Sequence, residues 1–169
     1  MEQRIFLIGF MGSGKTRWGR VVAGTLHYPY LDLDEEIERG ERRSVSDIFE
    51  MNGESGFRKL EQQYLHRMIA RPNALISTGG GTPCFFDNMA WMKQHGITIY
   101  LKCPPAVLFF RLKNDKPRPL LKGLDDDGLM DFIEARMIER EPVYLQADHI
   151  VEYTADERSM LQALLSLIL

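Results

Sequence analysis

Residues 9–16 read Gly9-Phe10-Met11-Gly12-Ser13-Gly14-Lys15-Thr16, the spacing G-x-x-x-x-G-K-[ST] of a loop that cradles phosphates. An apolar run precedes it and a helical pattern follows, which is the context the motif requires. Gly9, Gly12 and Gly14 allow a tight turn and bring backbone N–H groups against phosphate oxygens. The helix that follows aims its positive end at the same anion. Lys15 can reach the β- and γ-phosphates, and the Thr16 hydroxyl can ligate Mg²⁺. Gly12, Ser13, Gly14, Lys15, Thr16 and the adjoining Arg17 are therefore the candidate triphosphate-binding residues, and one Mg²⁺ accompanies the nucleotide.

Three further groups fit an acceptor pocket. Asp32 and Asp34 close the run Tyr30–Leu33; at strand spacing both carboxylates point to one side. Two like charges that close need separate tasks, such as Mg²⁺ for Asp32 and a substrate hydroxyl for Asp34. The alternative is an acidic turn capping a helix at Glu35–Ile37. Next comes Gly53-Glu54-Ser55-Gly56-Phe57-Arg58-Lys59-Leu60-Glu61. On a helical wheel Glu61 falls among Phe57, Leu60, Tyr64, Leu65 and Met68, and an inward carboxylate needs a partner. Arg58, three residues earlier, supplies one and can then grip an anionic substrate group; a purely structural ion pair is the alternative. Last, Gly79-Gly80-Gly81 costs backbone entropy, which implies that something approaches the backbone closely; a plain loop is the alternative. All three groups, like the phosphate loop, are expected to follow strands, because ligands of open α/β sheets sit at the strands' carboxyl ends.

The elements that must position these residues alternate along the chain. Short apolar runs at Ile5–Ile8, Tyr30–Leu33, Ala74–Ile76, Ile97–Leu101 and Ile150–Val151 suit strands buried on both faces. Between them, Trp18, Val21, Val22 and Leu26 recur at helical spacing, as do Phe57 to Met68 and, after Asp125-Asp126-Asp127, Leu129, Phe132, Ile133 and Met137. A closing helix is expected over Met160–Leu169. This alternation predicts an α/β fold with a central parallel five-stranded sheet between layers of helices. Residues 113–123 resist it: two prolines break any helix, and Lys113, Lys116, Arg118 and Lys122 gather positive charge. A solvated loop is the plain reading; beside a phosphate loop, a mobile lid that covers phosphates is the stronger one.

Composition narrows the class further. With 169 residues, 44% hydrophobic and 27% charged, the chain suits one globular domain, 1–169. A net charge of -3 argues against a nucleic-acid partner. Cys84 and Cys103 match neither a disulfide framework nor a zinc site, no run is long enough for a membrane span, and a cytoplasmic monomer is expected. His27, His66, His95 and His149 share no metal-ligand spacing, the methionines read as core filler, and Trp18 and Trp91 as core packing. The Asn-Lys-x-Asp element of GTPases is absent, and the run at Ala74–Ile76 leads into Ser77-Thr78 and glycines rather than a Walker-B aspartate. A small-molecule kinase fits. A gluconate or nucleoside monophosphate kinase is the nearest rival, and a nucleotide-binding module without catalysis the more distant one, though Lys15, Thr16, Asp34 and Arg118 are all present.

Taken together, these motifs resemble the shikimate kinase family, related to the nucleoside monophosphate kinases. The resemblance rests on 9–16, Asp32-x-Asp34, Gly-Glu-x-x-Phe-Arg-x-x-Glu at 53–61, Ser-Thr-Gly-Gly-Gly at 77–81, Arg-Pro-Leu-Leu at 118–121 and Arg-Glu-Pro-Val-Tyr at 140–144. It implies a P-loop NTPase fold, with an acceptor region near 33–61 and a lid near 113–123. It further implies that ATP phosphorylates the 3-hydroxyl of shikimate on the route to aromatic amino acids. By the same resemblance Arg58 and Arg140 hold the substrate carboxylate with help from Gly79, Gly80 and Gly81. Arg140 matches the motif where the nearby Arg136 does not. Asp34 binds ring hydroxyls and takes the proton, and Asp32 supports Mg²⁺ with Thr16. Arg118 closes on the phosphates, Arg111 lies near adenine, and the stretch at Tyr153-Thr154 adjoins it. The run Thr82-Pro83-Cys84-Phe85-Phe86 is more aromatic than the resemblance leads one to expect.

Overall fold

A computed structural model describes residues 3–114 and 119–169. Among them the order is β1 (Ile5–Ile8), α1 (Lys15–Leu26), β2 (Tyr30–Asp32), α2 (Leu33–Glu41), α3 (Val45–Arg67), β3 (Leu75–Ser77), α4 (Asn88–His95), β4 (Ile97–Lys102), α5 (Pro105–Lys113), α6 (Asp126–Tyr144), β5 (His149–Glu152) and α7 (Glu157–Ser166). Short 3₁₀ turns lie at Met68–Ala70, Thr82–Cys84 and Pro119–Leu121. The five strands are all parallel, in the order β2-β3-β1-β4-β5. The five apolar runs are these strands, within a residue or two at each end.

Alternation along the central strands explains why their runs are apolar. Ile5 and Leu7 of β1 join Leu75, Ile99 and Leu101 in a core against Trp18 and Val22 of α1 and Met160 and Leu164 of α7. Phe6 and Ile8 face the other way, with Ile76 and Tyr100, into a larger core shared with α2 to α6. A side chain on either face of β1 thus meets a helix layer, and no polar position is available. Parallel β1 is flanked by β3 on one side and β4 on the other, so the chain's crossovers run in opposite directions from it. Its carboxyl end therefore opens into the crevice where such sheets bind ligands.

Two expectations are corrected here. Residues 53–61 do not follow a strand: they lie inside α3, which bends at Gly53 with φ 67° and ψ 177°. Gly53 takes a conformation that costs other residues dearly, and the helix restarts so that Arg58 and Glu61 point at the sheet's carboxyl edge. Asp32 and Asp34 do not share one strand face either. The strand ends at Asp32, whose carboxylate caps α2 by accepting from Asp34 N at 3.1 Å and Glu35 N at 3.4 Å. The capping alternative describes Asp32, and Asp34 sits in the first helical turn. Of the lid segment 113–123, residues 115–118, with Lys116 and Arg118, lie outside the described residues.

Candidate active site

The phosphate loop joins β1 to α1 without spare residues. Gly9, Gly12 and Gly14 all adopt positive φ (142°, 79° and 98°), which glycine reaches at little cost. A Cβ on Gly9 would also lie 2.8 Å from the Leu101 carbonyl oxygen. Lys15 is buried, and its Nζ donates to the carbonyls of Gly9 (2.7 Å) and Phe10 (2.9 Å). Arg111 donates to the Gly12 carbonyl at 2.9 Å and stacks its guanidinium over Tyr153 at 5.1 Å. Arg17 pairs with Glu157 of α7 and lies over Trp18. Gly12, Gly14, Lys15, Arg17, Trp18 and Arg111 border a cavity of about 380 Å³, which reaches Thr16, Asp32, Asp34, Thr78, Gly79 and Gly80.

Asp32 ties the loop to the acceptor side. Its Oδ2 accepts from the Thr16 hydroxyl and from the Tyr30 hydroxyl, each at 3.1 Å. Burial pushes the Tyr30 hydroxyl up to about 12, so Tyr30 remains a proton donor through the neutral range. A hydroxyl and a carboxylate at the cavity wall are the hard oxygen donors that Mg²⁺ prefers. No cage of three or more His, Cys, Asp or Glu stands among the described residues, so phosphate and water would complete the shell, as is usual for this ion.

A second, smaller cavity of about 100 Å³ adjoins the first and shares Met11, Asp34, Gly79 and Gly80 with it. Its walls include Arg58, Glu61, Gly81, Arg140 and the apolar Val45, Phe49, Phe57 and Leu120. Arg58 donates to Glu61 Oε2 at 2.9 Å and to Glu54 Oε1 at 3.2 Å. Glu61 is completely buried and accepts a further bond from Thr82 Oγ1 at 2.5 Å. Arg140 is also buried; its guanidinium lies 5.8 Å from the Phe10 ring centre, and its Nη1 makes no hydrogen bond among the described residues. Arg136, by contrast, pairs with Glu139 on the surface.

The glycine triplet has a concrete reason. None of its three residues has positive φ; what each lacks is room. A Cβ on Gly79 would lie 2.7 Å from Glu61 Oε1, and one on Gly80 3.0 Å from the Met11 amide nitrogen. On Gly81 it would lie 2.5 Å from the Arg58 head. The close approach inferred from the glycines is thus made by the protein's own loop and ion pair. Tyr144 donates to the Gly80 carbonyl at 2.5 Å, fixing the triplet from α6.

Several lining residues carry no chemical signal in the sequence. Met11, expected in the core with the other methionines, lies at the junction of both cavities, and Trp18 borders the larger one while packing in the core. Val45, Phe49 and Phe57 follow helical spacing, which marks core and pocket wall alike.

Comparison with known proteins matches this architecture to one family. The family model for shikimate kinase matches residues 11–168. The chain belongs to the shikimate kinase family. A shikimate kinase of Bacteroides thetaiotaomicron is 48% identical over 155 residues, spanning 91% of this chain and 87% of that protein. One from Persephonella marina is 40% identical over 146 residues, 86% of each. The crystal structure of a Bacteroides thetaiotaomicron shikimate kinase superposes with a TM-score of 0.94 at 44% identity, over 99% of both chains. That of the Acinetobacter baumannii shikimate kinase in complex with shikimate gives 0.90 at 35% identity, over 99% of this chain and 93% of that one. The fold is thus the P-loop NTPase fold of the shikimate kinases, and family membership makes the chain a phosphotransferase. No helix among the described residues is long and apolar enough to cross a membrane.

Proposed function

We propose that this chain carries out its family's reaction, the ATP-dependent phosphorylation of shikimate, by in-line transfer of the γ-phosphoryl group to the 3-hydroxyl where the two cavities meet at Asp34, Gly79 and Gly80. The observation that carries this reading is the wall of the smaller cavity. Arg58 and Arg140 both line it at 4% and 6% exposure, and Arg140 keeps a buried N–H without a hydrogen bond. A buried cation left so is costly, and a substrate carboxylate restores both charge and acceptors.

Each residue then has a task. Arg58 and Arg140 hold the carboxylate against the Gly79–Gly81 backbone, which leaves the ring hydroxyls beside Asp34. Asp34 aims the attacking hydroxyl and accepts its proton as the new O–P bond forms and ADP departs. Because such transfer is loose, placement and charge neutralisation contribute most of the acceleration. Lys15 shifts from the Gly9 and Phe10 carbonyls to the phosphate oxygens, joined by loop N–H groups and by Arg118 from the lid. Arg17 and Arg111 flank the nucleotide. Thr16 and Asp32 hold one Mg²⁺, which supplies charge neutralisation at the phosphates when bound.

We take residues 1–169 as one kinase domain, with the acceptor region at 33–61 and the lid at 113–123. The lid's described end supports this, since Leu120 lines the acceptor cavity. The net charge of -3 speaks against nucleic acid as a partner, the two cysteines stand as free thiols, and a cytoplasmic monomer fits both. ADP release from MgATP, measured in parallel with shikimate, gluconate and AMP, tests the reading. Turnover with shikimate alone is expected; turnover with gluconate or AMP instead overturns the pocket assignment.

A further inference from the structure

The run Thr82-Pro83-Cys84-Phe85-Phe86 lies immediately beyond the glycine triplet, and neither Thr82 nor Phe85 lines the acceptor cavity. Both nonetheless act on Arg58. The Phe85 ring centre lies 4.3 Å from the Arg58 guanidinium carbon, and the Phe57 ring centre 5.3 Å from it. Phe49 packs against Phe57 at 4.6 Å, which extends the aromatic wall. Thr82, completely buried, donates to the Glu61 oxygen that Arg58 does not use. Thr82 is in turn held through its carbonyl by Asn88 Nδ2 at 2.9 Å, also completely buried. Both carboxylate oxygens of Glu61 are thereby occupied, and its rotation is blocked.

The backbone here is bent in an unusual way. Phe86, which directly follows, has φ 52°, a conformation that a bulky side chain rarely adopts. Its own side chain is 58% exposed, so it gains little from burial there. The strained turn lets the chain leave the Thr82–Cys84 turn, present Phe85 towards Arg58 and enter α4 within a few residues. Strain held in place by its surroundings gathers at sites where positioning matters.

We propose that Phe85 and Thr82 are positioning residues for the substrate carboxylate, Phe85 by stacking on the Arg58 guanidinium and Thr82 by locking Glu61, so that Arg58 presents a fixed set of donors to the acceptor cavity. This rests on Arg58 being a carboxylate ligand. An arginine held by stacking and by buried counter-charge loses little freedom on binding, so its hydrogen bonds to a planar anion come at lower entropic cost. Burial pushes the thiol of Cys84, between the two, up to about 11 against the pull of Arg140 and Arg58.

The test is a set of steady-state measurements on Phe85→Leu, Phe85→Tyr, Thr82→Val and Thr82→Ser, each confirmed as folded by circular dichroism. Phe85→Leu is expected to raise KM for shikimate by about 3- to 30-fold, with kcat and KM for ATP within about twofold of the unmodified chain. Phe85→Tyr, which keeps the ring, restores KM; Thr82→Val raises it and Thr82→Ser restores it. The methyl ester of shikimate, which lacks the charge, should bind the unmodified chain and Phe85→Leu equally well when each Kd is measured by calorimetry. Equal losses with acid and ester, or a fall in kcat at unchanged KM, overturn the proposal. If Phe85→Leu does not fold, the Thr82 pair decides by the same criteria. Arg58→Lys in the same series separates the two levels: no rise in KM there removes Arg58 as a carboxylate ligand. A rise there, with Phe85→Leu unchanged, removes only the positioning role.

Discussion

The phosphate loop draws its groups from one unbroken run, residues 9–16, whereas the acceptor cavity takes Asp34, Arg58, Gly80 and Arg140 from α2, α3, the segment after β3 and α6. The two sides also differ in what shapes them. On the nucleotide side, three glycines at positive φ set the course of the loop. On the acceptor side, buried charges line the wall, and each depends on others: Arg58 on Glu61, Glu61 on Thr82, and the glycine triplet on the space that Arg58 and Glu61 leave. A contiguous site tolerates changes elsewhere in the fold; an assembled one transmits them.

That contrast can be broken most sharply at the junction. Asp34→Asn should lower kcat by about 10²- to 10⁴-fold while ATP affinity, measured by nucleotide titration, stays the same. Near-normal turnover would remove Asp34 from the chemistry and leave the two sides uncoupled. Glu61→Ala comes next, because it leaves the buried Arg58 charge with only the half-exposed Glu54. A loss of about 3–5 kcal/mol is expected, read by thermal melting, together with weaker shikimate binding and unaltered ATP binding in the surviving folded protein. A melting temperature like that of the unmodified chain would show that the acceptor side is less interdependent than its bonds imply.

Gly81→Ala is smaller and more selective. The added methyl would meet the Arg58 head at 2.5 Å, a clash that typically costs about 1–3 kcal/mol. It should appear in KM for shikimate and not in KM for ATP; equal changes in both would merge the two sides into one unit. Arg136→Ala, on the surface pair with Glu139, should alter neither KM, and stability by no more than about 0.5 kcal/mol. A marked rise in KM for shikimate would move the acceptor boundary along α6.

The smallest effect is a dependence on pH remote from both cavities. Burial opposes ionisation of Asp148, but hydrogen bonds from the Thr98 amide and hydroxyl, with Lys93 nearby, prevail and hold its carboxyl below the ordinary value. The unfolded chain therefore binds the proton more readily than the folded one. The contribution is present in full above the unfolded value and is lost as pH falls through the lower folded value. Asp148→Asn should flatten this acid limb of the melting-temperature profile and leave both KM values untouched.

The sheet was legible in residue order because its central strands, β1, β3 and β4, are buried on both faces and so read as apolar runs, while the edge strands β2 and β5 carry shorter ones. Helix α6 was legible for a related reason: its apolar stripe and acidic start agree. Helix α2 was harder to see, since Asp32 ends a strand and caps a helix at once, a switch that strand spacing alone cannot reveal. Residues 53–61 differ in another way. The expected strand does not precede them; they lie within α3, which bends at Gly53.

By itself the sequence determined the shape of the loop at 9–16, because it lies in the local backbone geometry of consecutive residues. It also determined the pairing of Arg58 with Glu61, because helical spacing brings those positions together whatever the rest of the chain does. Only the tertiary structure decided why the triplet must lack side chains, that Met11 stands where the two cavities meet, and that Phe85 and Thr82 reach Arg58 and Glu61. Those are consequences of distances between segments far apart in the chain. They are set by how α3, α4 and α6 pack on the carboxyl edge of the sheet, and no local periodicity encodes them.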